Sequence, residues 1–121
     1  MVKPLFDTNI LIDFLNGIEA AKSELARYED PAISIISWME VMAGASESDK
    51  DATRAFLSGF QRIGLDESIA EAAVALRQSH RVKLPDAIVW ASAQVHGRLL
   101  VTRNERDFPT ADPGVRMPYR L

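Results

Sequence analysis

Apolar positions along the chain follow two rhythms. Short unbroken apolar runs fall at about 2–6, 32–36 ("AISII"), 62–65 ("RIGL") and 98–102 ("RLLVT"), and each reads as a strand. "VRMP" at 115–118 reads as a short last one. Between them the spacing turns helical. "TNILIDFLN" predicts a helix over 8–16 that Gly17 stops, and Ile18, Ala21, Leu25 and Tyr28 mark a second over 18–29. "SWMEVMAG" predicts a helix with Ser37 as N-cap and Gly44 near its end, and residues 48–60 predict one capped by Ser48 or Asp49. Ile69, Ala72, Ala73 and Leu76 line one face of a helix over 67–80. "LPDAIVWASAQVHG" opens with Pro85 in its first turn and closes on Gly97, and its apolar residues on nearly every side predict burial. Pro4 lies inside the first strand, where it cannot donate to a ladder, so it belongs near the strand's start or on an unpaired side.

Strands alternating with helices predict a parallel sheet with helices on both faces. At 121 residues, 47% of them apolar, a single domain over 1–121 with a full core is expected. In open sheets of this kind, ligands bind outside the carboxyl ends of the strands. The residues just after each strand therefore gain interest. Asp7 ends the first strand, Glu40 follows "AISII", Asp86 opens the buried helix, and Asn104 follows "LLVT" with Asp107 one helical turn on. They are far apart in sequence, yet the topology puts them all on one edge.

Each has an ordinary structural role open to it. Asp7 suits an N-cap, Ser37 and Glu40 fit the S-x-x-E capping box, Asp86 suits the positive end of a helix dipole, and Asn104 and Asp107 are common in turns. Their neighbours favour more. Glu40 sits in "WMEVM", Asp86 in "LPDAIVWA" and Asp7 between Phe6 and "TNILI", with no basic residue in any of these stretches. Acids set this deep in apolar sequence need a partner, and converging carboxylates are relieved by a proton or a cation. Oxygen-only donors suit Mg²⁺ or Mn²⁺, which neutralise phosphate charge and activate water. His80 and His96 fall at helix ends and read as surface residues rather than ligands.

Composition narrows the classes. There is no cysteine, which removes disulfide scaffolds, thiolate metal sites and cysteine nucleophiles. No apolar run approaches a membrane span and the N-terminus lacks a secretory pattern, so a cytoplasmic protein is expected. The net charge of −3 argues against a general nucleic-acid binder. It is unevenly spread: residues 1–60 carry five Lys/Arg against ten Asp/Glu, residues 61–121 nine against seven. Arg77, Arg81, Lys83, Arg98, Arg103 and Arg106 lie in or beside helix ends and loops of the second half, as a basic rim or as scattered solvated charges.

"LFDTNILIDFL", "SWMEVMAG", "LPDAIVWASA" and "LLVTRNERDF", in this order, resemble the PIN domain (PilT N-terminus nuclease fold), and more narrowly the VapC-type toxins of prokaryotic toxin–antitoxin pairs. The resemblance runs from Val2 to about Pro109. It implies a three-layer α/β/α sandwich around a mainly parallel sheet, and a metal-dependent endoribonuclease acting on RNA, often tRNA or rRNA. It implies Asp7, Glu40 and Asp86 as ligands of Mg²⁺ or Mn²⁺, with Thr8, Asn9, Ser37 and Thr102 orienting them. The family's fourth acidic position falls on Asn104, a departure that occurs in relatives of this type, and Asp107 is close enough to supply the missing charge, so either Asn104 or Asp107 completes the site. Arg77, Arg81, Lys83, Arg103 and Arg106 are the expected grips for RNA phosphates. A VapB-like antitoxin that inhibits the active site, and a homodimer, are the partners it implies. Leu11, Phe14, Leu15, Trp38 and Met42 are either surface for these interfaces or core.

Three rivals stand beside this expectation. A domain with an incomplete fourth ligand would hold RNA or protein without cutting. A haloacid-dehalogenase-type site would want D-x-D where the chain reads D-T-N, and a receiver would want a second acid beside the first and a late lysine. A purely structural domain would leave three apolar-flanked acids on one edge unexplained.

Overall fold

The computed structural model describes all residues, Met1–Leu121. Five short parallel strands, β1 (Pro4–Phe6), β2 (Ala32–Ser34), β3 (Gln61–Ile63), β4 (Leu99–Val101) and β5 (Val115–Arg116), form one sheet in the order β3-β2-β1-β4-β5. Six helices surround it: α1 (Thr8–Leu15), α2 (Glu19–Ala26), α3 (Ile35–Gly44), α4 (Lys50–Leu57), α5 (Glu67–Ser79) and α6 (Leu84–Val95). The chain starts in the middle strand, builds outward on one side, then returns to build on the other. The strand order therefore reverses beside β1, which is where such sheets open a crevice.

Alternation along the strands sorts two cores. Leu5, Ala32 and Leu100 face one side and pack with α5 and α6 around Trp90 and Phe108. Their neighbours Phe6, Ile33 and Val101 face the other side and pack with Ile10 and Leu11 of α1, Val41 of α3 and Leu57 of α4. Residues one apart point to opposite faces of a strand, so three-residue strands suffice to feed both layers. This is the α/β/α sandwich expected, and Leu11 belongs to its core. Pro4 is tolerated in the central strand because it is the strand's first residue.

The helix stops follow the expected chemistry. Gly17 and Gly97, just past α1 and α6, have φ of 79° and 63°, where a side chain would be strained. The stripe on α5 buries Ile69, Ala73 and Leu76, and α6 buries six of its twelve residues. One boundary moves. β2 ends at Ser34, and α3 begins at Ile35, not after Ser37. The Ser34 hydroxyl accepts the Ile36 N–H at 3.1 Å and is the N-cap. Ile35 and Ile36 read as strand because they are β-branched, but in the helix Ile36 packs against the α5–α6 core. Ser37 and Glu40 therefore form no capping box, and Glu40 stands in the second turn. At α4, Asp49 holds the N-cap position without a side-chain cap bond, and its own N–H is taken by the Ser46 hydroxyl at 3.3 Å.

Long-range ion pairs hold the layers together. Arg98, 8% exposed just before β4, donates to the carbonyls of Pro4 (3.2 Å) and Asp30 (2.7 Å), to Asp30 Oδ2 (3.3 Å) and to Gln61 Oε1 (2.8 Å). It joins the first residues of β1 and β3 to the segment preceding β2 at the amino edge. Arg116 of β5 makes a bidentate pair with buried Glu24 of α2 at 2.7 and 3.0 Å. No buried side-chain polar atom lacks a partner. Replacing Arg98 with Ala strands these acceptors and is expected to cost about 2–4 kcal/mol, read as a lower urea midpoint at unchanged m. An unshifted midpoint would show that the amino edge does not need this arginine.

Candidate active site

Asp7 leaves β1 and caps α1. The middle strand is flanked on both sides, so the carboxylate emerges into packed protein and is only 5% exposed. Oδ1 accepts the Thr8 N–H at 2.8 Å. Oδ2 accepts the Thr102 hydroxyl at 2.8 Å and the Asn9 amide at 3.2 Å. Thr102 stands immediately after β4, so the two central strands meet through this bond. Its oxygen in turn accepts the Asn104 N–H at 3.0 Å. Asn9 reaches the same loop, its carbonyl accepting the Arg103 N–H at 3.1 Å.

Thr8 links the second acid. Its Oγ1 lies 2.7 Å from Glu40 Oε1 and 3.0 Å from Ser37 Oγ. A hydroxyl has one proton. The shorter bond to a carboxylate takes it, so Ser37, buried on α3, donates to Thr8. Asp86 lies in the first turn of α6, half-buried. Asp107 is held from two sides: the Asn104 amide donates to its Oδ2 at 2.8 Å, and its own N–H donates to Asn104 Oδ1 at 3.2 Å.

These acids feel one another. Burial, with the charges of Asp86 and Glu40 added, raises the Asp7 carboxyl to about 6 against the pull of Thr102 and Thr8. Burial raises Asp86 as well, helped by Asp107 and then Glu40, with Lys83 opposing. The structure thus brings Asp7, Glu40, Asp86 and Asp107 to one edge, with Thr8, Asn9, Ser37 and Thr102 bonded among them. No three acidic or histidine side chains close into a ready cage. Asn9, Arg103, Asn104, Glu105 and Arg106 line an entirely polar cleft of about 460 Å³ beside Asp7.

The basic residues divide. Arg81, Lys83 and Arg106 are exposed. Arg77 spends one N–H on the Val82 carbonyl at 2.7 Å. Arg103 is not a free phosphate grip. Its guanidinium forms a bidentate pair with buried Asp13 of α1 at 2.7 and 3.0 Å, and Tyr119 donates to the same carboxylate at 2.8 Å. Asp13 and Tyr119 went unremarked in the sequence because their partner lies about 90 residues from one and 16 from the other. What they do is fix the loop that carries Asn104 and Asp107. His80 and His96 are exposed helix ends, as expected.

The raised Asp7 has a signed consequence. Folded Asp7 titrates near 6 and the unfolded group near 3.8, so between these values the native state binds more protons. Stability contributed by this group is present at low pH and lost as pH rises through about 6. With chelator present at pH 8, Asp7→Asn should be more stable than wild type by about 1–3 kcal/mol, the gap closing toward pH 4. Denaturant melts of the two proteins across this range measure it. A wild type more stable than the variant at pH 8 would contradict the assignment.

The PIN domain family profile matches residues 5–112. Ribonuclease VapC19 of Mycobacterium tuberculosis is 36% identical over 124 residues, covering 95% of this chain and 98% of that protein. A toxin-antitoxin complex from Klebsiella pneumoniae contains a chain with TM-score 0.93 and 49% identity, covering 98% of this chain and 99% of that one. FitAcB from Neisseria gonorrhoeae shares the fold, with TM-score 0.80 at 22% identity over 98% and 99% of the two chains. With this profile match and these relatives, the chain belongs to the PIN-domain family, among its VapC-type members.

Proposed function

We propose that this protein is a Mg²⁺- or Mn²⁺-dependent endoribonuclease, the toxin of a type II toxin–antitoxin pair, which hydrolyses phosphodiester bonds in tRNA or rRNA. One observation carries the reading. Asp7, Glu40, Asp86 and Asp107, drawn from four separate segments, converge at the sheet's carboxyl edge, where the charges of Asp86 and Glu40 add to the raising of Asp7 and those of Asp107 and Glu40 to the raising of Asp86, yet none of the four is in an ion pair with a lysine or arginine. The relatives point the same way: one is named a ribonuclease, and another belongs to a toxin–antitoxin complex.

The donor set fits a hard cation. All donors are oxygens, and Mg²⁺ is commonly held by one or two carboxylates, its own waters and substrate phosphate rather than by a closed protein cage. Asp7, Glu40 and Asp86 are the residues that would hold it. When bound, such an ion supplies charge neutralisation at the scissile phosphate and acidifies water there. The chain does the rest by positioning. Thr102, Asn9 and the Thr8 N–H fix both oxygens of Asp7, and the Thr8 hydroxyl turns Glu40. Asn104 does not leave a gap in the acidic set: its amide holds Asp107, which supplies the remaining charge beside Asp86. Arg81, Lys83 and Arg106, exposed and in no ion pair, are the residues that would meet flanking phosphates.

The same surface offers room for an inhibitor. A groove of about 460 Å³ between α1, α3 and α4, lined by Ile12, Leu15, Val41 and Ala45, runs up to Glu40. A VapB-like antitoxin laid in it would end at the acids, where a guanidinium satisfies carboxylates directly.

RNA cleavage by the antitoxin-free protein tests the proposal. Asp86→Asn is expected to abolish cutting of tRNA and rRNA while melting as a folded protein, and EDTA is expected to do the same to wild type. Thr102→Val should lose about 10–100-fold in metal affinity or activity, because it only orients Asp7. Undiminished cutting by Asp86→Asn or in EDTA would remove the metal-nuclease reading. Tight RNA binding with no cleavage under any metal would leave a binding module in its place.

A further inference from the structure

On the far flank of α3 from Glu40, two arginines converge on one indole. The Arg54 guanidinium of α4 lies 5.5 Å from the Trp38 ring centroid, and that of Arg62 on β3 lies 4.9 Å from it. Both side chains are exposed, and neither is in an ion pair. Arg27, Arg98, Arg103, Arg116 and Arg120, by contrast, each have a carboxylate within reach. Trp38 is half-buried and packs against the core shared by Phe6 and Leu57, so the ring is a fixed platform. With Leu57, Ser58 and Phe60 these three residues line a depression of about 290 Å³.

Bringing two like charges together without an anion costs energy, and cation–π attraction to a tryptophan offsets part of it. Stacking uses the face of a guanidinium and leaves its N–H edge free, which is the edge that grips phosphate in bidentate fashion. Trp38 and Arg54 belong to the first 60 residues, whose net charge is −5, so with Arg62 they form a local basic spot beside an acidic stretch of the chain. Trp38 adjoins Ser37 and lies two residues before Glu40, so the spot and the acids are separated by roughly the width of one helix, about 10–12 Å. That is within reach of a nucleic-acid strand crossing the carboxyl edge.

We infer that Arg54 and Arg62, ordered by Trp38, form a phosphate-binding subsite for the backbone of a single-stranded RNA segment flanking the cleavage position. This rests on the proposed ribonuclease activity for its occupant, but its test does not depend on cleavage. Phosphate contacts are read by salt dependence: each neutralised phosphate adds about 0.7 to the slope of log K against log[salt] for a single strand.

A short fluorescein-labelled single-stranded RNA is titrated with antitoxin-free protein in EDTA, by anisotropy, at several salt concentrations. Arg54→Ala/Arg62→Ala is expected to weaken binding at least tenfold and to lower the salt slope by about 1.4, with an unchanged melting temperature. Trp38→Leu should weaken binding several-fold while keeping the slope, since the charges remain and only their ordering is lost. Lys22→Ala, an exposed lysine on α2, should change neither. Affinity and slope unaltered in the double variant would overturn the subsite, as would a loss equalled by Lys22→Ala. If wild type cuts no RNA with metal yet shows this arginine-dependent slope, the nuclease reading fails and the subsite stands. If the double variant cuts RNA with the wild-type KM, the subsite fails and the nuclease reading stands.

Discussion

The structure is organised around a carboxylate in the wrong solvent. Asp7 emerges from the central strand of a parallel sheet, with strands on both sides and helices above and below. Three donors hold it, and they are still outweighed by burial and by the neighbouring acids, so its proton is held to about 6. A structural cap would not need this. An N-cap on a surface helix stabilises by about 1 kcal/mol without desolvating the charge. On the proposed reading a cation repays this cost, and the polar groups around Asp7 fix its geometry in advance.

That geometry draws on the whole fold. Thr102 comes from the end of β4, Glu40 from α3, Asp86 from α6, and the Asn104–Asp107 pair from a loop pinned by Arg103 to Asp13 and Tyr119. The two cores orient the helices, and the amino-edge lattice of Arg98 aligns the strands. Short strands are adequate because every one is buried between layers or tied at its end. Arg81, Lys83 and Arg106 lie exposed, and the groove along α1, α3 and α4 runs up to Glu40.

Much of this was legible in the sequence because it is local. Periodicity marks α5 and α6, glycines mark the ends of α1 and α6, and Asp7, Glu40 and Asp86 are set in apolar sequence. What stayed hidden was tertiary. The apolar run "AISII" points to Ser37 as the cap of α3, and packing of Ile36 against the α5–α6 core moves the cap to Ser34. Arg103 reads as a free loop arginine until Asp13, 90 residues earlier, is brought beside it. Arg98 reads as part of a basic rim or as a solvated charge, yet it is buried in the amino edge, and Arg116, which no pattern marks, anchors β5 to α2. Ion pairs between distant segments leave no periodic trace, so charge patterning alone cannot separate a phosphate grip from a structural clasp.

The claim that Asp7 is held ready for a cation is tested most directly by the stability of the protein as a function of divalent metal. Thermal unfolding at pH 8 with increasing Mg²⁺ or Mn²⁺ should show the wild-type midpoint rising with the logarithm of metal concentration, as selective binding to the native state requires. The Asp7→Asn midpoint, higher at the start, should stay flat. Equal shifts in both proteins, or none in wild type up to millimolar metal, would contradict the account and leave Asp7 as a costly helix cap.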